Sequence, residues 1–442
     1  MKLPFQAKRV FQIAAPAIGE SYLQSLLGVI DSFFIARLGL LAINAVGITN
    51  IYSMTYIGVF TAISATLSVF LSRSFGAKNT DQSKSVLFHG LLIATIIGLL
   101  FSVLSVLFSN FLLNLAGADD ALKKTAFLYF NVVLGLTPFI ALFTAQSAAF
   151  RAIGDTRTPF RVGVEMNIVH VIFDYILIFG LGPIKGFGLA GAAVAMILAR
   201  VYAFLRLFLK SQQIPSIALS VKDLKIVRTL TGSMTKFAIP AVLERLSMRL
   251  GQVVYFGLIV RMGTETYATH NIAGTLTTFS YTIGGGFAIA ATTLIGQSIG
   301  EDNIKEVKEY RKWSYLQSAF FMTVVTALLA LFSPWIGRLF TDNSTVISLL
   351  TVILLIDTIA QPFLASVLVD TSAVQAGGNS SFPMIVTMIG IWGVRTLGVY
   401  FFAWKLGFGL PAVWISIAAD NALRAILFSW YRRKKVVVRG LS

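Results

Sequence analysis

Residues 10–36 read VFQIAAPAIGESYLQSLLGVIDSFFIA, an apolar run whose few strongly polar members include Glu20 and Asp31. It is longer than the about 20 residues a helix needs to cross a bilayer, and longer than the about 7–15-residue apolar core of a secretory signal. The reading is a spanning helix that stays in the chain, with two acids inside it. Outward from this stretch the pattern recurs. Splitting the apolar runs at charged, Gly- or Pro-bearing breaks gives twelve spans, near 10–36, 46–72, 87–114, 127–150, 159–181, 187–209, 237–260, 268–297, 313–336, 346–374, 383–403 and 408–430. Runs of this length argue for helices over the short alternating strands of a barrel. Composition agrees: of 442 residues 56% are hydrophobic and 12% charged, and mean hydropathy is +0.79. Soluble domains carry roughly a quarter charged residues, so a soluble fold is excluded. With no cysteine there is no disulfide, zinc-thiolate site or thiol nucleophile.

The net charge of +17 would suggest nucleic acid in a soluble protein. Distributed over the twelve spans it has another cause. The side of the N-terminus, from Lys2, Lys8 and Arg9 through to Lys435 and Arg439, carries 24 basic residues against seven on the other. By the positive-inside rule both termini are cytoplasmic, in a plasma (inner) membrane, and no nucleic-acid partner is needed.

Sliding the chain on itself by 224 residues pairs Pro16 with Pro240, Glu20 with Glu244, Gly39 with Gly263, Asn79 with Asn303, Pro138 with Pro362, Gly154 with Gly378 and Pro159 with Pro383. Chance does not align three pairs among eleven prolines at one offset; the chain is duplicated. The fold class is an all-α integral membrane protein of twelve transmembrane helices. They form two six-helix bundles related by pseudo-twofold symmetry along the membrane normal. The lobes are 1–210 and 237–442, joined by a cytoplasmic linker loop at 211–236. Two like-oriented bundles suit alternating access, and the prolines Pro16, Pro138, Pro240 and Pro362 offer places to bend.

Ionisable groups in hydrocarbon cost several kcal/mol unless solvated, paired or neutralised, so those that persist are functional candidates. In the first half these are Glu20, Asp31, Asp174 and Arg200. Asp31 and Asp174 each precede the outer end of their span by six or seven residues, at about the same depth, 10 Å below the surface. They can share a pocket, with Arg37 at the rim and Arg200 nearer the cytoplasm. Two carboxylates there cannot both ionise cheaply, so one holds a proton near neutral pH, which is what a proton-coupled carrier requires. Gln24, Asn167 and His170 lie on the same helical faces, and Tyr129 can add a hydroxyl at similar depth. In the second half Tyr255 and Gly398 replace the two aspartates. Most of its charges, Glu244, Arg245, Arg249, Asp357, Asp370, Arg395, Asp420 and Arg424, should neutralise one another. Glu20 and Glu244 are repeat mates. One role for them is a cytoplasmic gate in which Glu20 faces Arg245 or Arg249; the other is local packing.

The run Val29-Ile30-Asp31-Ser32-Phe33-Phe34-Ile35-Ala36-Arg37-Leu38-Gly39, followed by Ala45-Val46-Gly47, resembles the first-helix signature of the multidrug and toxic compound extrusion (MATE) family. So do Arg151-Ala152-Ile153-Gly154-Asp155-Thr156-Arg157-Thr158-Pro159, the stretch Asp174 to Gly180, and Gly188 to Ala193. The resemblance covers nearly the whole chain. It implies export of organic, often cationic compounds driven by inward H+ or Na+, with two six-helix lobes around a central cavity. The acids of the first lobe resemble the DinF-type branch, in which first- and fifth-helix aspartates couple the cation. That role transfers to Asp31 and Asp174, with Gln24 and Tyr129 at matching positions. Two departures stand out: His170 occupies the place of the usual asparagine, and Ala192 or Met196 that of a sixth-helix hydroxyl. Fewer oxygens weaken an Na+ site at Asp31 and Asp174, which favours H+. The expectation is a monomeric, H+-coupled exporter of small organic substrates in membrane lipid, without cofactor or resident metal and not an enzyme. The alternative is a lipid or lipid-linked oligosaccharide flippase of the same superfamily, kept open by Arg245, Arg249 and Arg395. A hydrolase finds no support in His89, His170 and His270, which lie on separate spans without metal-site spacing.

Overall fold

The computed structural model describes residues 4–434. Lys2, Lys435 and Arg439 of the charge count lie outside them. The chain is helical almost throughout: α1 Phe5–Ala36, α2 Leu40–Gly76, α3 Thr80–Leu107, α4 Asp120–Ala152, α5 Arg157–Phe179, α6 Leu189–Ser211, α7 Arg228–Val260, α8 Thr264–Gly300, α9 Ile304–Leu331, α10 Ser344–Ala376, α11 Ser381–Lys405 and α12 Gly409–Lys434. Among the described residues eleven of these are long and apolar enough to span a membrane. The one that falls short is α7, a 33-residue helix with Glu244, Arg245 and Arg249 in its middle. In α4 the helix breaks at Leu136 and restarts with Pro138 in its first turn, where the missing N–H costs nothing, whereas Pro16, Pro240 and Pro362 lie inside continuous helices.

The duplication is written in the backbone. Among the described residues Lys78 and its repeat mate Asp302 are the two non-glycine residues with left-handed φ, 55° and 58°. Each is followed by an asparagine that caps the next helix, Asn79 accepting from the Gln82 N–H and Asn303 from the Glu306 N–H.

The chain divides into two compact units, one of residues 19–238, the other of 239–442 with the first turns up to Ile18. The division falls inside α1 and α7, not at the linker. In the second unit Ala14 and Ile18 of α1 lie against Gly286, Gln317 donates to the Ala7 carbonyl at 2.8 Å, and Phe11 meets Phe321. In the first unit Phe237, from the start of α7, packs edge-on against Phe70. The connecting segment is also shorter than the expected 211–236, because α7 begins at Arg228. It is tied to α3, where His89 Nε2 accepts from the Val227 N–H at 2.9 Å and Lys84 stands 3.9 Å from Asp223. The Ser220 hydroxyl and N–H both donate to Asp223 and, with Lys84, hold its carboxyl below the usual range.

Where α5 ends, the backbone widens into a π turn over Tyr175–Phe179, and α11 does the same at the repeat-related Val399–Lys405. Such turns free carbonyls. Those of Leu177 and Ile178 accept from the N–H groups of Phe187 and Gly188, which turns the chain back through a short β-hairpin into α6. At Gly191 a Cβ would fall onto the Leu177 carbonyl. Gly191→Ala is therefore expected to cost about 1–3 kcal/mol through overpacking, read as a lowered unfolding midpoint in detergent.

Candidate functional site

Asp31 lies five residues before the end of α1, and Asp174 is the last residue before the π turn of α5. His170, one turn before Asp174, projects from the same face. The three meet. His170 Nδ1 is 3.8 Å from Asp31 Oδ1, and His170 Nε2 is 3.5 Å from Asp174 Oδ2, so the imidazole stands between the two carboxylates with one nitrogen toward each. Ligand atoms of the three lie within 4.8 Å of one another, a set that could hold a cation. Asp174 and His170 are buried, while the Asp31 side chain keeps 19% exposure. Asp31 Oδ1 and Asp174 Oδ1 are buried without a hydrogen-bond partner. A buried carboxylate oxygen of this kind is served by a proton, a cation or an ordered water.

The other expected residues divide. Tyr129 is buried within electrostatic reach of both aspartates. Asn167 donates to the Leu23 carbonyl at 3.0 Å and so fastens α5 to α1 beneath the site, with its own Oδ1 buried and unpartnered. Gln24 stands exposed. Ala192 is buried in an apolar cluster with Tyr129, Ile178 and Ala45, and brings no oxygen.

Arg200 is the correction. Expected nearer the cytoplasm, it acts electrostatically on Asp31, His170 and Tyr129. Helical side chains lean toward the N-terminus of their helix, and the N-terminus of α6 is on the membrane side where Asp31 and Asp174 lie. That lean brings the charge of an arginine eleven residues into α6 within electrostatic range of Asp31, without an ion pair to it. With one proton on the aspartate pair, the pair and Arg200 together carry no net charge, the least costly state in hydrocarbon.

Of the two roles weighed for Glu20 and Glu244, each residue has partners for local packing inside its own unit. Both Glu20 oxygens accept from Arg151 Nη1, at 3.1 and 3.0 Å, within the first unit. Glu244 repeats this in the second unit with the repeat mate of Arg151, Gln375, at 3.3 Å, and adds Thr387 at 3.2 Å. These are structural ties; a carboxylate held by its own unit needs no partner elsewhere. The neutralisation expected in the second half holds for Asp370, bound by Arg311 and Arg432, and for Asp420, bound by Arg395 and Arg424. It fails for Asp357, whose bonded neighbour is Gln361.

A family model described as MatE matches residues 16–176 and again 240–401, two stretches that begin 224 residues apart. The probable multidrug resistance protein NorM of Thermotoga maritima is 26% identical over 434 residues, 96% of this chain and 92% of that protein. The uncharacterised transporter YisQ of Bacillus subtilis is 26% identical over 425 residues, 96% and 93% of the two chains. A crystal structure of MATE in the bent conformation superposes with a TM-score of 0.89 at 22% identity, covering 99% of both chains, a likeness of fold.

Proposed function

Because the chain belongs to the MatE family, a multi-pass membrane transporter family, we propose that it exports organic, often cationic, compounds by alternating access. Inward H+ drives it through Asp31 and Asp174, from a plasma membrane with both termini cytoplasmic. The observation that carries the choice of ion is the His170 imidazole between the two carboxylates. A hard cation such as Na+ needs several oxygens. This site offers an aromatic nitrogen where the family motif has an amide, and buried Ala192 where it has a hydroxyl. A neutral imidazole donates from one nitrogen and accepts at the other, so it can stand between one ionised and one protonated carboxyl. Protonation and deprotonation of the pair against Arg200 then change the charge of the pocket, which is the differential interaction an alternating carrier needs.

Efflux from reconstituted vesicles tests this. An imposed pH gradient is expected to drive export and an Na+ gradient alone is not; export on Na+ alone would overturn the assignment. His170→Asn, which restores the amide oxygen, is expected to raise dependence on Na+. Against the flippase reading, Arg395 is taken by Asp420 and Arg245 by Tyr281, which leaves Arg249 as the arginine a lipid-linked phosphate could meet.

A further inference from the structure

The second unit holds one buried acid that its arginines do not reach. Asp357 lies near the middle of α10, 6% exposed, beside Leu354 and Ile353 of the main apolar cluster. Its Oδ2 accepts from Gln361 Nε2 at 2.7 Å. Gln361 is held in that orientation because its Oε1 accepts from Ser280 Oγ of α8 at 2.9 Å, and Ser280 also donates to the Met322 carbonyl of α9. Two helices therefore build a polar side-chain series, Ser280 to Gln361 to Asp357, that ends on a carboxyl and is anchored on the backbone of a third.

The contrast with the other acids of the unit is sharp. Asp420 and Asp370 each touch two guanidinium groups, and Glu244 has Thr387 and Gln375 as donors with Arg245 and Arg424 in electrostatic reach. Among the described residues Asp357 has no cation within ion-pair distance. The helices packed on α10 carry Arg311 on α9 and Arg432 on α12, both bound to Asp370, and Tyr281 and His270 on α8, Tyr315 on α9, and Asp420 and Arg424 on α12. Of these Tyr281 bonds Arg245, His270 sits among the rings of Tyr255, Phe256 and Trp414, and Asp420 is bound by Arg424. None supplies a countercharge. One neutral amide donor does not offset the burial of a full charge, whereas a protonated carboxyl needs no countercharge. The cluster also belongs to the second half alone: the repeat positions of Asp357, Gln361 and Ser280 are Val133, Thr137 and Tyr56. Each half thus carries acid without a close ion-pair cation at a position where the other half has none, Asp31 and Asp174 in the first and Asp357 in the second.

We propose that Asp357 is a second proton-binding carboxyl of this protein, distinct from the Asp31–Asp174 pair, and that it exchanges its proton with water during the transport cycle. The proton is held on the carboxyl while the site is buried and leaves as hydronium when water reaches it. The part concerning transport rests on the proton-coupled reading above; the part concerning binding does not.

Infrared difference spectra between acidic and alkaline pH, taken on the full chain in detergent, separate the two. In the Asp31→Asn/Asp174→Asn protein a protonated-carboxyl C=O band is expected to persist, and to vanish when Asp357→Asn is added. In otherwise wild-type protein Gln361→Leu, which removes the amide donor, is expected to move that band to higher frequency, so the test stands even where Asp357→Asn folds poorly. A spectrum unaltered by both changes overturns the proposal. In vesicles Asp357→Asn is expected to lower the H+ taken up per substrate exported by about one; an unchanged ratio overturns the exchange during transport. Should Na+ alone drive export, the coupling reading falls while the infrared band still reports on Asp357.

Discussion

Asp31→Asn is expected to fold as the parent does and to lose pH-driven efflux down to the background of empty vesicles. The carboxyl meets His170 at 3.8 Å and the Asp174 carboxyl beside it, and an isosteric amide can still bond to both, so the substitution removes little that supports the fold. It removes a titratable group from a pocket of two acids and one arginine. The variant pocket then cycles through fewer charge states, and Asp174 is left with His170 as its close titratable neighbour. An uncoupled carrier can still equilibrate substrate down its own gradient, so the loss should be confined to gradient-driven accumulation. Thermal unfolding in detergent, run alongside, distinguishes loss of coupling from loss of protein. Undiminished pH-driven transport by a stable Asp31→Asn protein would remove Asp31 from the mechanism.

The membrane spans, the duplication and the meeting of Asp31, His170 and Asp174 were legible in the sequence because each rests on a period or a length. Apolar runs count residues against bilayer thickness, the 224-residue offset counts identities, and four-residue spacing fixes a face. What escaped needed directions and partners. Arg200 was placed by its Cα, but the charge of a long side chain lies away from the backbone, and here it acts electrostatically on Asp31. Glu20 was read against arginines of the other half, though Arg151, one motif away in its own half, supplied the partner. Counting acids and bases in the second half suggested general neutralisation. Pairing is geometric, and two aspartates took two arginines each while Asp357 took none. That the first turns of α1 group with the second unit has no signature in length or period, the two signals the sequence offers.

The same geometry makes Asp420 the side chain whose loss should harm the fold most. It is 0% exposed and receives Arg395 Nη2 at 2.6 Å and Arg424 Nε at 2.7 Å, packed against Gly390, where a Cβ would strike its Oδ1. Asp420→Asn keeps the shape and removes the charge, leaving two buried guanidinium groups that repel each other. Breaking a buried ion pair from one side costs about 3–5 kcal/mol, and here one carboxylate serves two cations. The variant should therefore show a sharply lowered unfolding midpoint and reduced yield. The first half shows another way to fill these positions, with Val171, Met196 and Arg200 at the places of Arg395, Asp420 and Arg424. If uncompensated charge is what harms Asp420→Asn, the apolar set Arg395→Val/Asp420→Met/Arg424→Leu should recover much of the lost stability despite three core changes. If the triple variant unfolds as readily as Asp420→Asn, the cluster is needed for its hydrogen bonds and shape, and the charge argument fails.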